Sequence, residues 1–247
     1  ASAGKPGGVL EGHAMALMTK VVPKPLPKDY DAAFYAAQKT LLARGVTTIT
    51  DMGTDIMAWQ SMRRAGDRGA LRIRIIGYAK GNEQAELIAG SGPSPWLYDD
   101  HLRLVGVNFL LDGALGAHGA WLKAPYSDAP DQSGLQLMSQ TQLKNRMSLA
   151  AMNGFQVAVG AVGDQANSVL LDAIADLAGT YTGDRRWRDE QAQIVDPADL
   201  PRFAGHGIIA SMQPQHEAAD WPMAVRRLGP DRLAGAYAWR TMLADGA

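Results

Sequence analysis

Cysteine is absent from all 247 residues, so disulfides and thiolate metal sites are excluded and cysteine usage marks no redox compartment. No apolar run approaches the roughly 20 residues of a membrane-spanning helix. Charge of one sign is not in excess either: 24 Lys and Arg face 25 Asp and Glu, a formal net charge of −1. The basic residues are scattered apart from Arg185, Arg186 and Arg188, which read as a solvated connector. A surface of that kind does not track phosphates, so neither nucleic acid nor a membrane is expected as a partner. No G-x-G-x-x-G follows the first strand, and P-loop and G-x-S-x-G are missing, which removes support for nucleotide binding and for a serine nucleophile. The opening residues, ASAGKPGGVLEGHAM, show neither the basic nor the apolar region of a signal peptide. The expected location is cytoplasmic.

What is present is a regular alternation. After a Gly-, Pro- and Lys-rich lead-in over 1–28, with at most one short helix, residues 29–44 carry apolar positions at helical spacing and end on Gly45. VTTITDMG follows, a β-branched strand closed by Asp51 and Gly53. The pattern then repeats: helix 55–65, strand 71–78, helix 83–89, strand 104–111. A long loop from Asp112 to about Met138 holds Gly113, Gly116, Gly119, Trp121 and Tyr126. Ser139 and Gln142 form a capping box for helix 139–153. Strand 155–162 turns at Gly163-Asp164 into helix 165–177, with Asp164 placed to cap it. Strand 189–195, a helix started by Asp196 and Pro197, strand 207–212 opening into QPQHEAADW, and helix 238–245 complete the order.

Six strands in strict alternation with helices imply a parallel sheet with right-handed crossovers. The polar residues gather at strand C-terminal ends: Asp51, Asp112, Asp164, Gln191, Gln193, Gln213 and His216. A (β/α) barrel of the TIM type builds its site in that manner, although six strands are two short of a closed barrel. The expectation is one α/β domain over 1–247.

The blocks GVTTITDMG, VGVNFLLDGALGAHGAWLKAPYSD, GFQVAVGAVGDQAN, EQAQIVDPADLPRFAGHGIIASMQP and RLGPDRLAGAYAWRTML together resemble the amidohydrolase superfamily. The nearest branch is similar to amidohydrolase family 3, the YtcJ-like group that includes N-substituted formamide deformylases. The resemblance implies a (β/α)8 barrel with a divalent, zinc-type metal that activates water for attack on amide or other C–N bonds. A metal of that kind brings the pKa of bound water down toward about 7. The family's ligands are a His-x-His on the first strand, a carboxylated lysine on the fourth, histidines on the fifth and sixth, and an aspartate on the eighth.

This sequence departs from that set. Asn108 stands at the lysine position. Gly160 opens the stretch that the family writes His-Ala-Ile-Gly-Asp, and Gln191 stands where the family writes the histidine of Glu-His-Ala-Gln. No His-x-His occurs, and the strands read as the second to seventh of the barrel, leaving two sheet edges that invite pairing with a second copy. No metal is therefore expected for this chain. A relative that lost its metal, a truncated chain and an engineered core all carry such a pattern. The resemblance makes the default activity amide hydrolysis, impaired here. The alternative is a dead barrel core that binds a small molecule or self-associates.

Of the five histidines, His13 and His101 read as surface residues and His206 as a helix C-terminus. His118 and His216 lie in the loops after the fourth and seventh family strands, converging over one mouth. Asp112, His118 and His216 are the candidate catalytic residues, with Asp112 also suited to a turn-stabilising role. Asn108, Trp121, Gln191 and Gln213 are the candidate substrate-binding residues, the two inward amides needing partners if buried.

Overall fold

The computed structural model describes residues 15–247. His13 and the first half of the lead-in lie outside the described residues. Helix α1 (Met15–Thr19) precedes α2 (Pro27–Ala43), which starts with Pro27 at its first turn while Asp29 accepts the Leu26 N–H at 2.8 Å. Strand β1 (Thr48–Thr54) leads to α3 (Ile56–Asp67), capped by Asp55, which accepts the Ala58 N–H. Next come β2 (Arg74–Lys80), α4 (Gly81–Ala89) and β3 (Leu102–Leu110). The expected capping box is present: Ser139 and Gln142 exchange hydrogen bonds at the head of α5 (Gln140–Met152). Then follow β4 (Gln156–Ala161), α6 (Asp164–Ala178), β5 (Arg188–Gln191), α7 (Arg202–Gly205), β6 (Ile209–Ser211), α8 (Pro214–Leu228) and α9 (Trp239–Ala244).

All five strand pairings are parallel, and the order in the sheet is β1-β2-β3-β4-β5-β6. The result is an open arc of a TIM-type (β/α) barrel with β1 and β6 at its edges. The alternation that predicted it holds because the helices cover one face. Ile75, Ala79, Leu104, Val107, Phe109, Leu111, Val157, Val159 and Ala161 turn toward α2 to α6 in the main core. A register shift between Gly77 and Tyr78 changes which β3 residues point that way. Beyond it, Gly106, Asn108 and Leu110 fall on the inner face with Tyr78, Gln156, Ala158 and Gly160. A second, smaller core lies beneath the long loop, with Leu115, Leu122, Tyr126, Ile194, Ala224 and Leu228.

Several local expectations are corrected. QPQHEAADW is not a loop: it is the first half of α8, a 15-residue helix with Pro214 in its first turn and Pro222 inside it. His216 therefore sits on a helix rather than in a loop. Asp196-Pro197 starts only a turn, and the helix there is the four-residue α7. Strand β5 ends at Gln191 rather than Val195, because Gln191 and Ala192 both take positive φ, 86° and 42°, and break the ladder. Asp164 is the first helical residue rather than the cap, which is Gly163. Its carboxylate accepts the N–H groups of Lys123 and Gln165 at 2.9 and 3.0 Å.

Candidate functional site

Asp112 follows β3 and is 5% exposed. Its two oxygens accept three backbone N–H groups: Val162 at 2.9 Å, Gly163 at 2.8 Å and Trp121 at 2.9 Å. Burial pushes its carboxyl up to about 6, against the pull of those three N–H groups, which favour the charged form. This carboxyl clasps the C-terminal ends of β3 and β4 to the long loop. Trp121 is reached through its backbone, and its carbonyl in turn accepts the Gln165 N–H at the head of α6. Gly163 fits because a β-carbon there would lie 2.1 Å from the Trp121 carbonyl oxygen.

His118 takes φ +52° at the end of a short 3-10 turn and packs edge-on against Tyr126, ring centroids 4.8 Å apart. Its Nε2 lies 3.1 Å from Asp128 Oδ1. Arg227 of α8 donates to the other Asp128 oxygen and, at 2.8 Å, to the Gly116 carbonyl. His118 is thus part of the tie between loop and α8.

The inner face carries polar pairs. The Tyr78 hydroxyl donates to Gln156 at 2.5 Å, and Arg188 bridges Glu190 at 2.6 Å and Ser211 at 2.8 Å. Asn108 donates its amide to the Met52 carbonyl and leaves Oδ1 buried without a partner. Leu110, opposite Gly160 in the register, is 50% exposed on this face.

At the mouth, Gln191, Gln193, Met212, Gln213, His216, Tyr237 and Trp239 line one narrow cavity. It adjoins a basin of about 450 Å³ reached by Gln213, Gln215, His216, Ala219 and Asp220. Gln193 donates to the Tyr237 hydroxyl at 2.8 Å, and the Trp239 indole donates to Glu217 at 2.9 Å. His216 Nδ1 stands 3.3 Å from Asp220 Oδ2, one helical turn on.

The structure therefore brings Gln191, Gln213 and His216 together, places Asp112 and Trp121 in the clasp, and gives His118 and His216 different acidic partners. Gln193, Asp220, Tyr237 and Trp239 were not singled out as site residues from sequence. The signal was there for two of them, since Tyr237 and Trp239 lie in the family-like block RLGPDRLAGAYAWRTML. Asp220 becomes visible as a partner only once α8 is known to be helical.

An open parallel β/α arc with its polar groups at the strand C-terminal ends is the TIM-type arrangement, whose sites lie at that end. The chain belongs to the amidohydrolase family, whose model matches residues 2–247. Over 261 residues it is 33% identical to Protein LONG AFTER FAR-RED 3 of Arabidopsis thaliana, covering 99% of this chain and 44% of that protein. Over 253 residues it is 30% identical to YtcJ of Bacillus subtilis (strain 168), a protein named as an amidohydrolase, covering 98% and 46%. The crystal structure of an uncharacterized metal-dependent hydrolase from Pyrococcus horikoshii OT3 aligns at TM-score 0.84 and 26% identity, covering 97% of this chain and 50% of that one. The chain spans about half the length of the curated relatives it matches.

The three residues that the resemblance sets at ligand positions do not supply the donors a zinc-type ion prefers. Asn108 and Gln191 offer neutral carboxamides in place of a carbamate and an imidazole. Gly160 has no side chain, and a β-carbon there would lie 2.6 Å from Leu110 Cδ2, so Leu110 leans into the space a histidine would need. Among the described residues no group of three or more His, Cys, Asp or Glu could hold a metal ion. No described helix is long and apolar enough to cross a membrane.

Proposed function

We propose that this chain carries the amidohydrolase scaffold with its metal-activated hydrolysis impaired or lost, and that it retains a small-molecule site at the mouth built on Gln191, Gln213 and His216. The observation behind this reading is the side-chain chemistry at three separate positions: Asn108, Gly160 with Leu110 leaning into its space, and Gln191. Carboxamides of Gln191, Gln193 and Gln213 supply both donors and acceptors, the complement of an amide or formamide group. In this reading Asp112 and His118 hold the loop in place, and His216 faces the ligand.

The test is metal analysis of the purified chain, with N-substituted formamide turnover and binding measured before and after zinc addition. Binding without turnover, in a chain that takes up no stoichiometric zinc, is the expected result. Stoichiometric metal, or turnover that depends on added zinc, overturns the reading.

A further inference from the structure

Helix α2 leans on α3 rather than on the sheet. Near its start Asp31 accepts the Ser61 hydroxyl at 2.7 Å and an Arg64 guanidinium N–H at 2.6 Å, both from α3. Two turns on, Gln38 donates to the Ala70 carbonyl at 3.2 Å and accepts the Arg72 N–H at 2.7 Å. The helix barely touches β1, and a cavity of about 310 Å³ remains between them. Into it α2 turns Tyr30, Phe34, Ala37 and Leu41, at the three- and four-residue spacing of one helix face. Ile49 of β1, Met62 of α3 and Ile73 close the other side. Asp51 is the one acid of the lining, which holds no lysine or arginine. Its Oδ2 accepts the Thr54 hydroxyl at 2.6 Å, and among the described residues no donor reaches Oδ1.

An apolar cavity of about 150 Å³ holds one benzene ring, and small-molecule sites begin at about 300 Å³, mostly apolar with a few polar groups that fix the ligand. Collapse of α2 onto β1 would close this one, but the Asp31 and Gln38 clamps set the height of the helix. An anion would face Asp51 with no cation to hold it. A wholly apolar molecule would strip water from the free Asp51 oxygen and give nothing back. A donor on an apolar body meets that oxygen and keeps the rest against the apolar wall. We infer that the cavity between α2 and β1 is a second small-molecule site, apart from the mouth, for a one- or two-ring apolar molecule carrying a single hydrogen-bond donor. The donor is given to Asp51 Oδ1, and the ring fills the space under Phe34 and Ala37.

The experiment titrates indole and 1-methylindole into the purified chain, following heat of binding and ligand-observed NMR. Indole is expected to bind with a dissociation constant at or below about 1 mM. It should bind at least about fivefold more tightly than 1-methylindole, which has no donor. Ala37→Phe, at an exposed position of α2, fills the cavity and should abolish binding without lowering the melting temperature. Asp51→Asn keeps an oxygen for the Thr54 hydroxyl and turns the other position into a donor, so indole should lose its advantage over 1-methylindole. Thermal melts confirm that both variants are folded. Equal affinity for the two compounds, or an advantage of indole that survives Asp51→Asn, overturns the donor assignment. No binding to the folded parent, or binding that Ala37→Phe leaves unchanged, overturns the site itself. Binding that fades as protein concentration rises gives the cavity to a second copy of the chain and overturns the site as well.

Discussion

Asp112 Oδ2 accepts the Gly163 N–H at 2.8 Å, joining the residue that closes β3 to the residue that caps α6. The same carboxyl holds Val162 and Trp121, so one side chain serves three donors that have no water to fall back on. Asp112→Ala leaves three N–H groups unpaired, and each buried orphan costs about 1–3 kcal/mol. The expected loss is about 3 kcal/mol or more, read from urea unfolding at pH 7. A loss under about 1 kcal/mol would mean that the clasp contributes little.

Gly163 supplies the other half of this contact. An alanine β-carbon there would press into the Trp121 backbone at 2.1 Å, and backbone cannot swing aside as a side-chain tip can. Gly163→Ala is expected to cost at least about 3 kcal/mol or to prevent folding. Gly45→Ala is the contrasting control, since its added carbon meets nothing and its cost is confined to the positive φ of 75°. Equal melting temperatures for the two variants would contradict the close approach.

Asp189 is wholly buried on the helix-facing side of β5, level with Val159, and no well-formed hydrogen bond reaches its carboxyl oxygens, the Ala192 N–H being the one backbone group that pulls on them. Burial, reinforced by the nearby Asp112 charge, raises it well above the usual carboxylate range. Both acids therefore bind protons more readily folded than unfolded. Their contribution is greatest at low pH and fades as pH rises from about 4, through about 6 for Asp112 and further for Asp189. Asp189→Val removes the buried acid and suits a strand. It is expected to add about 2 kcal/mol at pH 7 and to flatten the fall in stability between pH 5 and 8, both read from denaturant midpoints. A variant less stable than the parent at pH 7 would show that Asp189 has a partner it needs.

Strands β1 and β6 present their outer backbone groups at the sheet edges. We propose that two copies pair through them, and mass in solution by light scattering is the check. Thr50, exposed on β1, is a place to set a charge against such pairing. Thr50→Lys is expected to convert a dimer into a monomer without changing the melting curve of the monomer. A parent chain that is monomeric at all concentrations removes the proposal.

Much of this architecture is written locally. Helix α5 could be placed to the residue because its cap, Ser139 with Gln142, is a neighbour-to-neighbour device. The alternation of the strands could be read because each inward or outward residue is set by its own position in the pleat. Helix α8 could not, since Pro214, Pro222 and a polar first half conceal a helix whose apolar side meets only the loop and the small second core. The clasp at Asp112 was equally hidden. Two of its three partners lie just past the end of β4, some fifty residues away, and a carboxyl before a glycine looks the same whether it closes its own turn or another's. The mouth was half legible: Gln191, Gln213 and His216 were named from strand ends. Tyr237 and Trp239 arrive from the far end of the chain through the Ile194–Ala236 bridge and the Tyr237–Gln193 backbone contact.

The agreement between strand order in space and strand order in the chain bears on how this protein is made. From β2 to β6, each strand finds its partner in the strand synthesised just before it. A chain leaving the ribosome from its N-terminus can lay down one strand and one covering helix at a time, each layer docking on a surface already formed. Growth of that kind adds each strand to the free edge of the one before it, and among the described strands Ile209–Ser211, at three residues, is the shortest.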